Sequence, residues 1–327
     1  MKILVTGSSG HLGEALVRTL RTSNHEVVGI DVIPSAFTDK VGSIADRQFV
    51  KQCMKGINAV MHTATLHKPH VATHSNQQFI DTNISGTLNL LEEDLAAGID
   101  AFIFTSTTST FGGAMVPRKG QPAVWITEEV VPIPKNIYGV TKTTAENLCE
   151  LFSRNHSLPN IVLRTSRFFP EDDDQEQTRL AYENDNTKVN ELLYRRVDLM
   201  DVVSAHLKAL EKASSIGFGK YIISATTPFT YDDLSELTSD APKVVKRLYP
   251  DYAELFKDKE WKMFPSIERV YVNERARKEL DWQPKHDFRY ALDCIKSGID
   301  YRSALSIKTG SKGYHTKKFE KGPYPIK

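Results

Sequence analysis

Short runs of consecutive apolar residues alternate, in the first half of the chain, with segments whose apolar residues recur at helical spacing. The runs are Ile3–Val5, Val27–Ile30, Ala59–Met61, Ala101–Phe104 and Ile161–Leu163. Apolar side chains on successive residues are typical of strands buried on both faces of a parallel sheet. Between the first two runs, Leu12, Ala15, Leu16 and Leu20 predict a one-sided helix. Strands and helices in this rhythm predict right-handed crossovers and an α/β fold with a doubly wound parallel sheet.

The second half has a different pattern, because the alternation breaks after about residue 165. Residues 171–190 are polar and include the run Glu171-Asp172-Asp173-Asp174, which predicts a solvated loop or lid. Beyond it the pattern predicts a helix at 198–213, a strand at 220–224, and smaller helices near 230–238, 274–280 and 287–305. The lysine-rich tail from Lys308 is predicted to be solvated and partly mobile.

These patterns divide the chain into two predicted parts. Residues 1–165 form the domain that carries the sheet, with further sheet elements contributed from about 195–225. Residues 166–327 form mainly a cap of irregular α/β character and the C-terminal tail.

Composition and charge narrow the class of protein. The chain has 327 residues, 40% hydrophobic and 25% charged, which is typical of a soluble globular protein of one large domain or two. Lys and Arg number 42 against 41 Asp and Glu, so no net field recruits nucleic acid or an anionic membrane. No apolar run reaches the roughly 18 residues of a membrane helix, and a strand predicted from Ile3 leaves no room for a signal peptide. The three cysteines are odd in number and far apart, which favours a reducing compartment, and the cytoplasm is the expected location.

A glycine-rich turn follows the first predicted strand, with the sequence Thr6-Gly7-Ser8-Ser9-Gly10-His11-Leu12-Gly13. Glycines permit a tight turn and let backbone N–H groups approach a pyrophosphate, which then faces the N-terminus of the following helix. The spacing is one residue longer than the usual G-x-G-x-x-G, and glycines also serve plain turns. The position between a buried strand and an amphipathic helix nevertheless favours dinucleotide binding.

Asp31 ends the second predicted strand. A carboxylate at this place can accept hydrogen bonds from both hydroxyls of an adenosine ribose and would repel a 2′-phosphate. The residues that follow, Val32-Ile33-Pro34-Ser35, include no arginine to hold such a phosphate. An aspartate at a strand end can also be an ordinary turn residue, but together with the glycines it predicts NAD rather than NADP.

Tyr138 and Lys142 lie one helical turn apart at the start of a predicted helix, so their side chains share one face. A tyrosine with a pKa of about 10 is a poor base at neutral pH, whereas a nearby cation favours its phenolate. A surface pair of this spacing also arises by chance. The preceding strand ends in Thr105-Ser106-Thr107-Thr108-Ser109, and ligands bind at this edge of parallel sheets, which favours a catalytic pair.

Taken together, these motifs resemble the extended short-chain dehydrogenase/reductase family, in particular its NAD-dependent epimerase/dehydratase branch. The matching elements are TGSSGHLG at 6–13, Asp31, HTAT at 62–65, Asn83 with Gly86-Thr87, FTSTTSTFG at 104–112, YGVTK at 138–142, LRTSRFFPE at 163–171, Asp201-Val202 and RARKELDWQP at 275–284. They cover nearly the whole chain. The resemblance implies an NAD-binding Rossmann-type domain at 1–165, a small C-terminal α/β substrate domain, and hydride exchange between NAD and a substrate carbinol.

The resemblance also implies roles for single residues. Tyr138 would be the general base, Lys142 would hold the nicotinamide ribose and support the phenolate, and Thr107 would hydrogen-bond the reacting oxygen. The implied cofactor contacts are Gly7, Ser9, Gly10, His11, Leu12, Gly13, Asp31, Ser43, Ile44, Thr63, Ala64, Thr65, Asn83, Thr105, Tyr138, Lys142 and Thr165. The implied substrate contacts are Thr107, Arg167 and Arg196. A homodimer through the helices near 76–98 and 138–155 is also implied.

Four departures from the family pattern concern the ligands. Ser43 stands where the family often has an adenine-contacting Asp, and Phe111 replaces the usual Tyr of a Y-G pair. Arg167 stands where nucleotide-sugar epimerases often carry Asn; a guanidinium there favours a carboxylate or phosphate, or else pairs with the acidic run just beyond it. The stretch from Phe168 to Asp198 is short for a segment that clasps a nucleotide.

No metal site is predicted. His62, His67, His70 and His74 form a loose cluster that matches no common zinc pattern, so solvated or substrate-facing histidines are expected. The acidic run lacks the alternating ligands and the glycine of an EF-hand.

Three functional hypotheses follow. The first is an NAD-dependent epimerase or dehydratase acting on a sugar or nucleotide-sugar. The second is a dehydrogenase of a small sugar, sugar acid or other alcohol that releases NADH. The third is an NAD-binding regulator without catalysis, against which the intact Thr107, Tyr138 and Lys142 argue.

Overall fold

A computed structural model describes residues 1–313, 315, 319 and 322–324. Its strands are β1 (Lys2–Thr6), β2 (Glu26–Asp31), β3 (Lys40–Val41), β4 (Ala59–His62), β5 (Ala101–Thr107), β6 (Val124–Ile126), β7 (Asn160–Thr165), β8 (Phe218–Ile223) and β9 (Arg269–Tyr271). Its α-helices are α1 (His11–Arg21), α2 (Arg47–Cys53), α3 (Asn76–Ile80), α4 (Gly86–Ala97), α5 (Ile137–His156), α6 (Glu176–Ala181), α7 (Asn184–Leu192), α8 (Leu199–Ile216), α9 (Leu234–Leu237), α10 (Ala241–Leu248), α11 (Tyr252–Lys257), α12 (Glu274–Glu279), α13 (Phe288–Ser297) and α14 (Ala304–Thr309).

Seven parallel strands form the main sheet, in the order β3-β2-β1-β4-β5-β7-β8. The strand order reverses at β1, which lies between β2 and β4, and a crevice for ligands opens outside the carboxyl ends of the strands at such a point. All five apolar runs lie in strands of this sheet, so the predicted α/β fold with a doubly wound parallel sheet is confirmed.

The core lies on both faces of the sheet. Ile3 and Val5 pack in one apolar cluster with residues of α1 and α8, whereas Leu4 packs in the opposite cluster with residues of α2, α4 and α5. Successive strand residues face opposite sides of a sheet, which explains why both kinds of position are apolar here. A third cluster, which includes Leu237, Val245 and Phe288, forms the core of the C-terminal part beside the small parallel sheet of β6 and β9.

One prediction for the second half was wrong. Residues 171–190 are not a loop, because α6 and most of α7 lie within them, and Asp173 and Asp174 are buried rather than solvated. The predicted solvated tail is seen in part: Lys308 and residues 311–313 are exposed, although Lys312 pairs with Glu14 of α1, whereas Tyr324 is buried. The segment 195–225 gives the sheet its last strand, β8, while the division into two domains stays a prediction.

None of the helices in the described part of the chain is both long and apolar enough to cross a membrane.

A buried carboxylate in α4 is expected to destabilise the fold. Asp94 is fully buried, and neither carboxylate oxygen has a hydrogen-bond partner among the described residues. Burial therefore raises the pKa of Asp94 well above its usual value. When the pKa of an acid is raised in the folded state, the fold becomes less stable as the pH rises above the pKa of that acid in the unfolded chain, about 3.9 for aspartate.

We expect Asp94→Leu to raise the free energy of unfolding by about 1–3 kcal/mol at pH 8, because an unsatisfied buried polar group is removed. The gain should shrink as the pH falls towards 4, and urea denaturation at both pH values measures it. Asp100→Asn, at an exposed position close by in sequence, should change stability by less than about 0.5 kcal/mol. An Asp94→Leu variant less stable than wild type at pH 8 would contradict this account.

Candidate active site

The glycine-rich turn between β1 and α1 is shaped to receive a phosphate group. Gly7 adopts a left-handed conformation, with φ of 72°, and a Cβ there would lie 2.8 Å from the Ala64 nitrogen. A Cβ on Gly13 would lie 1.9 Å from the Gly7 carbonyl oxygen. No side chain of the described residues caps α1 at Gly10, so a ligand can accept hydrogen bonds from the backbone N–H groups at the start of the helix. A pyrophosphate fits this cradle, since helix N-termini attract anions.

The two residues that begin α1 differ in their surroundings. Leu12 packs in the apolar cluster beneath the turn, so its backbone N–H is the group left for a cofactor contact. His11 is buried against the rings of Phe168 and Phe169, at centroid distances of 6.2 and 6.0 Å.

Asp31 lies at the carboxyl end of β2, beside the glycine-rich turn. One of its oxygens accepts a hydrogen bond from the Ser9 backbone N–H at 3.0 Å, and the other accepts from Ile33 at 2.9 Å. Burial is the largest effect on the Asp31 pKa and raises it, while the backbone hydrogen bonds lower it. The carboxylate is therefore fixed against the turn, where it can receive ribose hydroxyls.

Ser43 and Ile44 follow β3, which pairs with β2 in the sheet. The Ser43 hydroxyl accepts a hydrogen bond from the Ala45 backbone N–H at 3.2 Å. Ile44 is buried, and a Cβ on Gly86 would lie 2.7 Å from its side chain. Both residues therefore lie at the sheet edge that carries Asp31.

The segment after β4 is tied to the same edge. The backbone N–H groups of Thr63 and Ala64 donate to the Thr6 hydroxyl, each at 3.1 Å. Asn83 accepts from the Thr65 hydroxyl at 3.0 Å and donates to Thr141 of α5 at 3.0 Å. Asn83 lies in a π-helical turn, a local distortion that is frequent at functional sites. It thereby links the segment after β4 to the helix that carries Tyr138 and Lys142.

Tyr138, Lys142 and Thr107 come together at the carboxyl end of β5. The Tyr138 hydroxyl is hydrogen-bonded to Thr107, and Lys142 donates to the Thr105 carbonyl oxygen at 2.7 Å. Asn136 caps α5 by accepting from the Gly139 N–H at 3.1 Å, which fixes the start of the helix. A phenol, a hydroxyl and an amine thus lie together at this end of the strand.

Burial dominates the ionisation of this pair. It raises the pKa of Tyr138 to about 12, which the Thr107 hydrogen bond partly offsets. Burial likewise lowers the pKa of Lys142 to about 7. The predicted lowering of the Tyr138 pKa by Lys142 is therefore not seen in the protein alone, because the buried amine loses part of its own charge near neutral pH.

A buried ion pair supports the catalytic elements from behind. Glu146, one turn after Lys142, forms an ion pair with Arg164 of β7 at 2.7 Å and accepts from Ser106 of β5 at 2.5 Å. Arg164 also stacks over the ring of Phe111 at 4.9 Å, so the aromatic residue that replaces the family tyrosine is part of this packing. These contacts hold α5 against β5 and β7.

The arginines predicted to contact substrate have protein partners. Arg167 pairs with Asp173 at 2.6 Å and with Glu191 at 3.2 Å, which is the alternative weighed for it from the sequence. Arg196 pairs with Glu191 at 2.8 Å and donates to the Phe169 carbonyl oxygen at 3.0 Å. A substrate contact stays a prediction for both.

The comparison with protein families agrees with this geometry. A family model described as the NAD dependent epimerase/dehydratase family matches residues 3–223, which is more than half of the chain. The chain belongs to this family. It is therefore an enzyme with NAD as its cofactor, and the predicted family and cofactor are confirmed.

Curated relatives are distant, and they match between about half and most of the chain. A UDP-glucose 4-epimerase of Rhizobium meliloti is 25% identical over 87% of this chain and 93% of its own length. An uncharacterized protein of Sinorhizobium fredii is 31% identical over 49% of this chain and 39% of its own length.

Solved structures of similar fold include a short-chain dehydrogenase/reductase superfamily protein from Agrobacterium tumefaciens with bound NAD. It has a TM-score of 0.62 and 24% identity, and the match covers 91% of this chain and 96% of that one. A UDP-glucose 4-epimerase from Thermotoga maritima with UDP-glucose has a TM-score of 0.61 and 24% identity over 92% and 100% of the two chains. At this identity the two structures show the fold alone.

The remaining predicted cofactor residues of this epimerase/dehydratase chain are held by side-chain contacts. Thr105 bonds to His206 of α8 at 2.7 Å, and Thr165 donates to the Ser106 carbonyl oxygen at 3.0 Å. The Ser9 hydroxyl donates to the Ile33 carbonyl oxygen at 2.7 Å. Their contacts with NAD stay predictions.

The prediction for His62 was wrong, because this histidine is neither solvated nor turned to a substrate. It is buried at the end of β4, between the hydroxyls of Thr6 at 2.8 Å and Thr87 at 3.0 Å. Burial lowers its pKa well below the usual value. His67 and His70 lie on the segment after β4 with ring centroids 4.8 Å apart, and no group of metal-ligating side chains was found among the described residues.

Sequence reasoning missed Glu146, Arg164 and Glu191, which hold the site together. The spacing of Glu146 one turn after Lys142 places both on one face of α5, and this is the signal that could have identified it. Glu191 has the same kind of signal in Arg195, which lies four residues after it, but its partner Arg167 comes from a separate segment and could not be identified in this way.

Asp31 gives the first prediction for the site. We expect Asp31→Ala to weaken NAD binding at least tenfold and to reduce the predicted preference for NADH over NADPH, because the hydrogen bonds predicted between this carboxylate and the ribose would be lost. Fluorescence titration with NADH and NADPH measures both effects. Asp100 directly precedes β5, so it lies at the amino ends of the strands, away from the cofactor edge. Asp100→Ala should therefore change neither the affinity for NAD nor the cofactor preference. Equal affinity of the wild-type enzyme for NADPH and NADH would contradict the assignment.

Proposed function

We propose that this chain catalyses redox-neutral epimerisation of a sugar nucleotide through Tyr138, Thr107 and Lys142. The observation that carries the proposal is the hydrogen bond between the Tyr138 hydroxyl and Thr107, with Lys142 anchored one turn away on the Thr105 carbonyl oxygen. The relatives named UDP-glucose 4-epimerase support the substrate class.

The proposed chemistry moves a proton at the substrate carbinol. The phenolate of Tyr138 takes the hydroxyl proton, and Thr107 donates a hydrogen bond to the reacting oxygen. Bound NAD would supply the acceptor, and then the donor, of hydride. Lys142 would hold the nicotinamide ribose. Return of the proton from Tyr138 to the same oxygen completes the cycle, so the enzyme leaves each turnover unchanged.

The glycine-rich turn and Asp31 would hold the cofactor in this scheme. The turn would receive the pyrophosphate, and the Asp31 carboxylate would accept the adenosine ribose hydroxyls. Ala64 and Thr65 would line the same path, since their segment is tied to Thr6 and Asn83.

The experiment incubates the purified enzyme with UDP-glucose, UDP-galactose and UDP-arabinose in turn and follows products by chromatography and absorbance at the NADH band. We expect an inverted product from at least one of them without net NADH. Failure to convert any of them, with NAD bound, would overturn the sugar-nucleotide assignment.

A second candidate is a net dehydrogenase of a small sugar or sugar acid. The pairing of Arg167 and Arg196 with Glu191 favours it, because α7 and its ion pairs fill the short stretch between Phe168 and Asp198. Stoichiometric NADH from an unactivated sugar or sugar acid would support this candidate over the first.

We also propose a homodimer in the cytoplasm. Helices α3, α4 and α5 carry the exposed apolar side chains Ile80, Leu95, Val140 and Leu151, which suit a helical interface. Cys53, Cys149 and Cys294 are all unpaired and buried, as expected in a reducing compartment. A mass of one chain by light scattering at micromolar concentration would overturn the dimer.

A further inference from the structure

A cavity of about 260 Å³ lies behind the segment that follows β7. Its wall includes His11 at the start of α1, Phe168 and Phe169, Lys188 and Leu192 of α7, and residues of α14. None of Tyr138, Lys142 or Thr107 lines it. The wall also includes Arg196, and His11 and Arg196 are a predicted cofactor contact and a predicted substrate contact. The cavity therefore adjoins the cofactor cradle but does not contain the three proposed catalytic side chains.

Lys188 places a buried amine, without a carboxylate partner among the described residues, in the wall of this cavity. Its side chain is 5% exposed, and its amine donates to the Pro170 carbonyl oxygen. It forms no ion pair with a carboxylate of the described residues. Burial is the main reason that the pKa of Lys188 falls to about 8, and Arg196 lowers it further while Asp185 and Asp172 raise it.

The other cations of the wall already have acidic partners. Arg196 pairs with Glu191 at 2.8 Å, Arg302 with Asp300 at 2.6 Å, and His286 with Asp201 at 3.0 Å. Buried amines are rare unless they are paired. Lys188 is thus the cation of the wall with which a bound anion would form an ion pair.

The one acidic side chain of the wall is engaged elsewhere. Asp198 caps α8 by accepting from the Met200 N–H at 2.7 Å, and its other oxygen accepts from Ser303 at 3.1 Å and from the Ser306 hydroxyl at 2.9 Å. These bonds satisfy the carboxylate from the protein side, so it does not serve as a partner for Lys188.

A second unpartnered polar group belongs to the same wall. His11 is 7% exposed, and its Nδ1 is buried with no hydrogen-bond partner among the described residues. Burial is the main cause that lowers the pKa of His11 to about 4, so the ring is neutral at pH 7 and can make one further hydrogen bond. A buried polar atom left in this way is expected to find a partner in a ligand or in water.

We propose that this cavity binds a small organic anion, whose carboxylate or phosphate pairs with Lys188 while its apolar body packs against Phe168, Phe169 and Leu192. The wall joins rings and aliphatic side chains to one unpaired cation, which is the combination that recognises a compact amphipathic anion. The volume suits a ligand the size of a single substituted ring.

The test uses the full-length enzyme and two probes of the same shape, benzoate and the neutral benzamide. Isothermal titration at pH 7 should show benzoate binding at least tenfold tighter than benzamide. Lys188→Met should remove the preference, whereas Lys308→Met, at an exposed position on α14, should keep it. Wild-type enzyme that binds benzoate no better than benzamide would overturn the proposal.

Three further measurements do not depend on the folding of the Lys188 variant. The affinity of wild-type enzyme for benzoate should fall as the pH rises above about 8, because the amine loses its charge. Tyr138→Phe should bind benzoate as wild type does, which separates this cavity from the proposed catalytic site. A crystal of the complex should place the carboxylate at the Lys188 amine, and benzoate bound only elsewhere would refute the assignment.

Discussion

Tyr138→Phe is expected to lower kcat at least a hundredfold while NAD still binds. The substitution removes the hydroxyl that would take the carbinol proton, and a positioned acid–base group contributes about 10²–10⁴ to the rate. The ring itself is 8% exposed and packed, so phenylalanine fills the same volume. The measurement is turnover of the converted sugar substrate, with NAD affinity and melting temperature determined on the same preparation.

Matched variants separate a chemical role from a structural one. Tyr231→Phe removes a hydroxyl from a tyrosine that is 71% exposed, and it should leave kcat unchanged. Thr107→Ser keeps the hydroxyl next to Tyr138 and should retain most of the activity, whereas Thr107→Val should lose it. Unchanged turnover in Tyr138→Phe with NAD bound would contradict the proposed base and favour a cofactor-binding regulator.

The fold and the cofactor edge could be predicted from sequence because their signals are local. A strand buried on both faces is apolar at every position, as at Ile3, Leu4 and Val5, and this pattern needs no knowledge of the rest of the chain. The turn from Gly7 to Gly13 is equally local, since its glycines allow close backbone contacts within a few residues. Asp31 and Tyr138 follow from their positions relative to such elements.

The stretch 171–190 could not be predicted because its stabilising contacts are distant and polar. Asn186 and Asn190 of α7 both donate to the Lys262 carbonyl oxygen, at 3.0 and 2.7 Å. A helix that buries amides shows no apolar stripe, so its residues resemble a loop in the sequence. Asp174 is buried against Lys68, which lies far away along the chain.

Loss of Glu191 is expected to have the largest effect on stability. This carboxylate is fully buried and pairs with Arg195 at 2.7 Å, Arg196 at 2.8 Å and Arg167 at 3.2 Å. We expect Glu191→Gln to lower the free energy of unfolding by about 3–5 kcal/mol, because removing one member of a buried ion network leaves the others uncompensated. Urea denaturation at pH 7 measures the loss.

The pH dependence gives an independent check on the same network. The arginines hold the pKa of Glu191 well below its usual value, and Lys68 and Arg167 lower the pKa of Asp174 to about 2. Carboxylates whose pKa is depressed in the folded state contribute stability above their unfolded pKa, and this stability is lost as the pH falls through the folded pKa. Wild type should therefore lose stability steadily below about pH 5, and Glu191→Gln should lose less over the same range.

Glu254→Gln, at an exposed position on α11, should follow the wild-type curve. A Glu191→Gln variant within about 0.5 kcal/mol of wild type at pH 7 would show that the three arginines do not depend on this carboxylate.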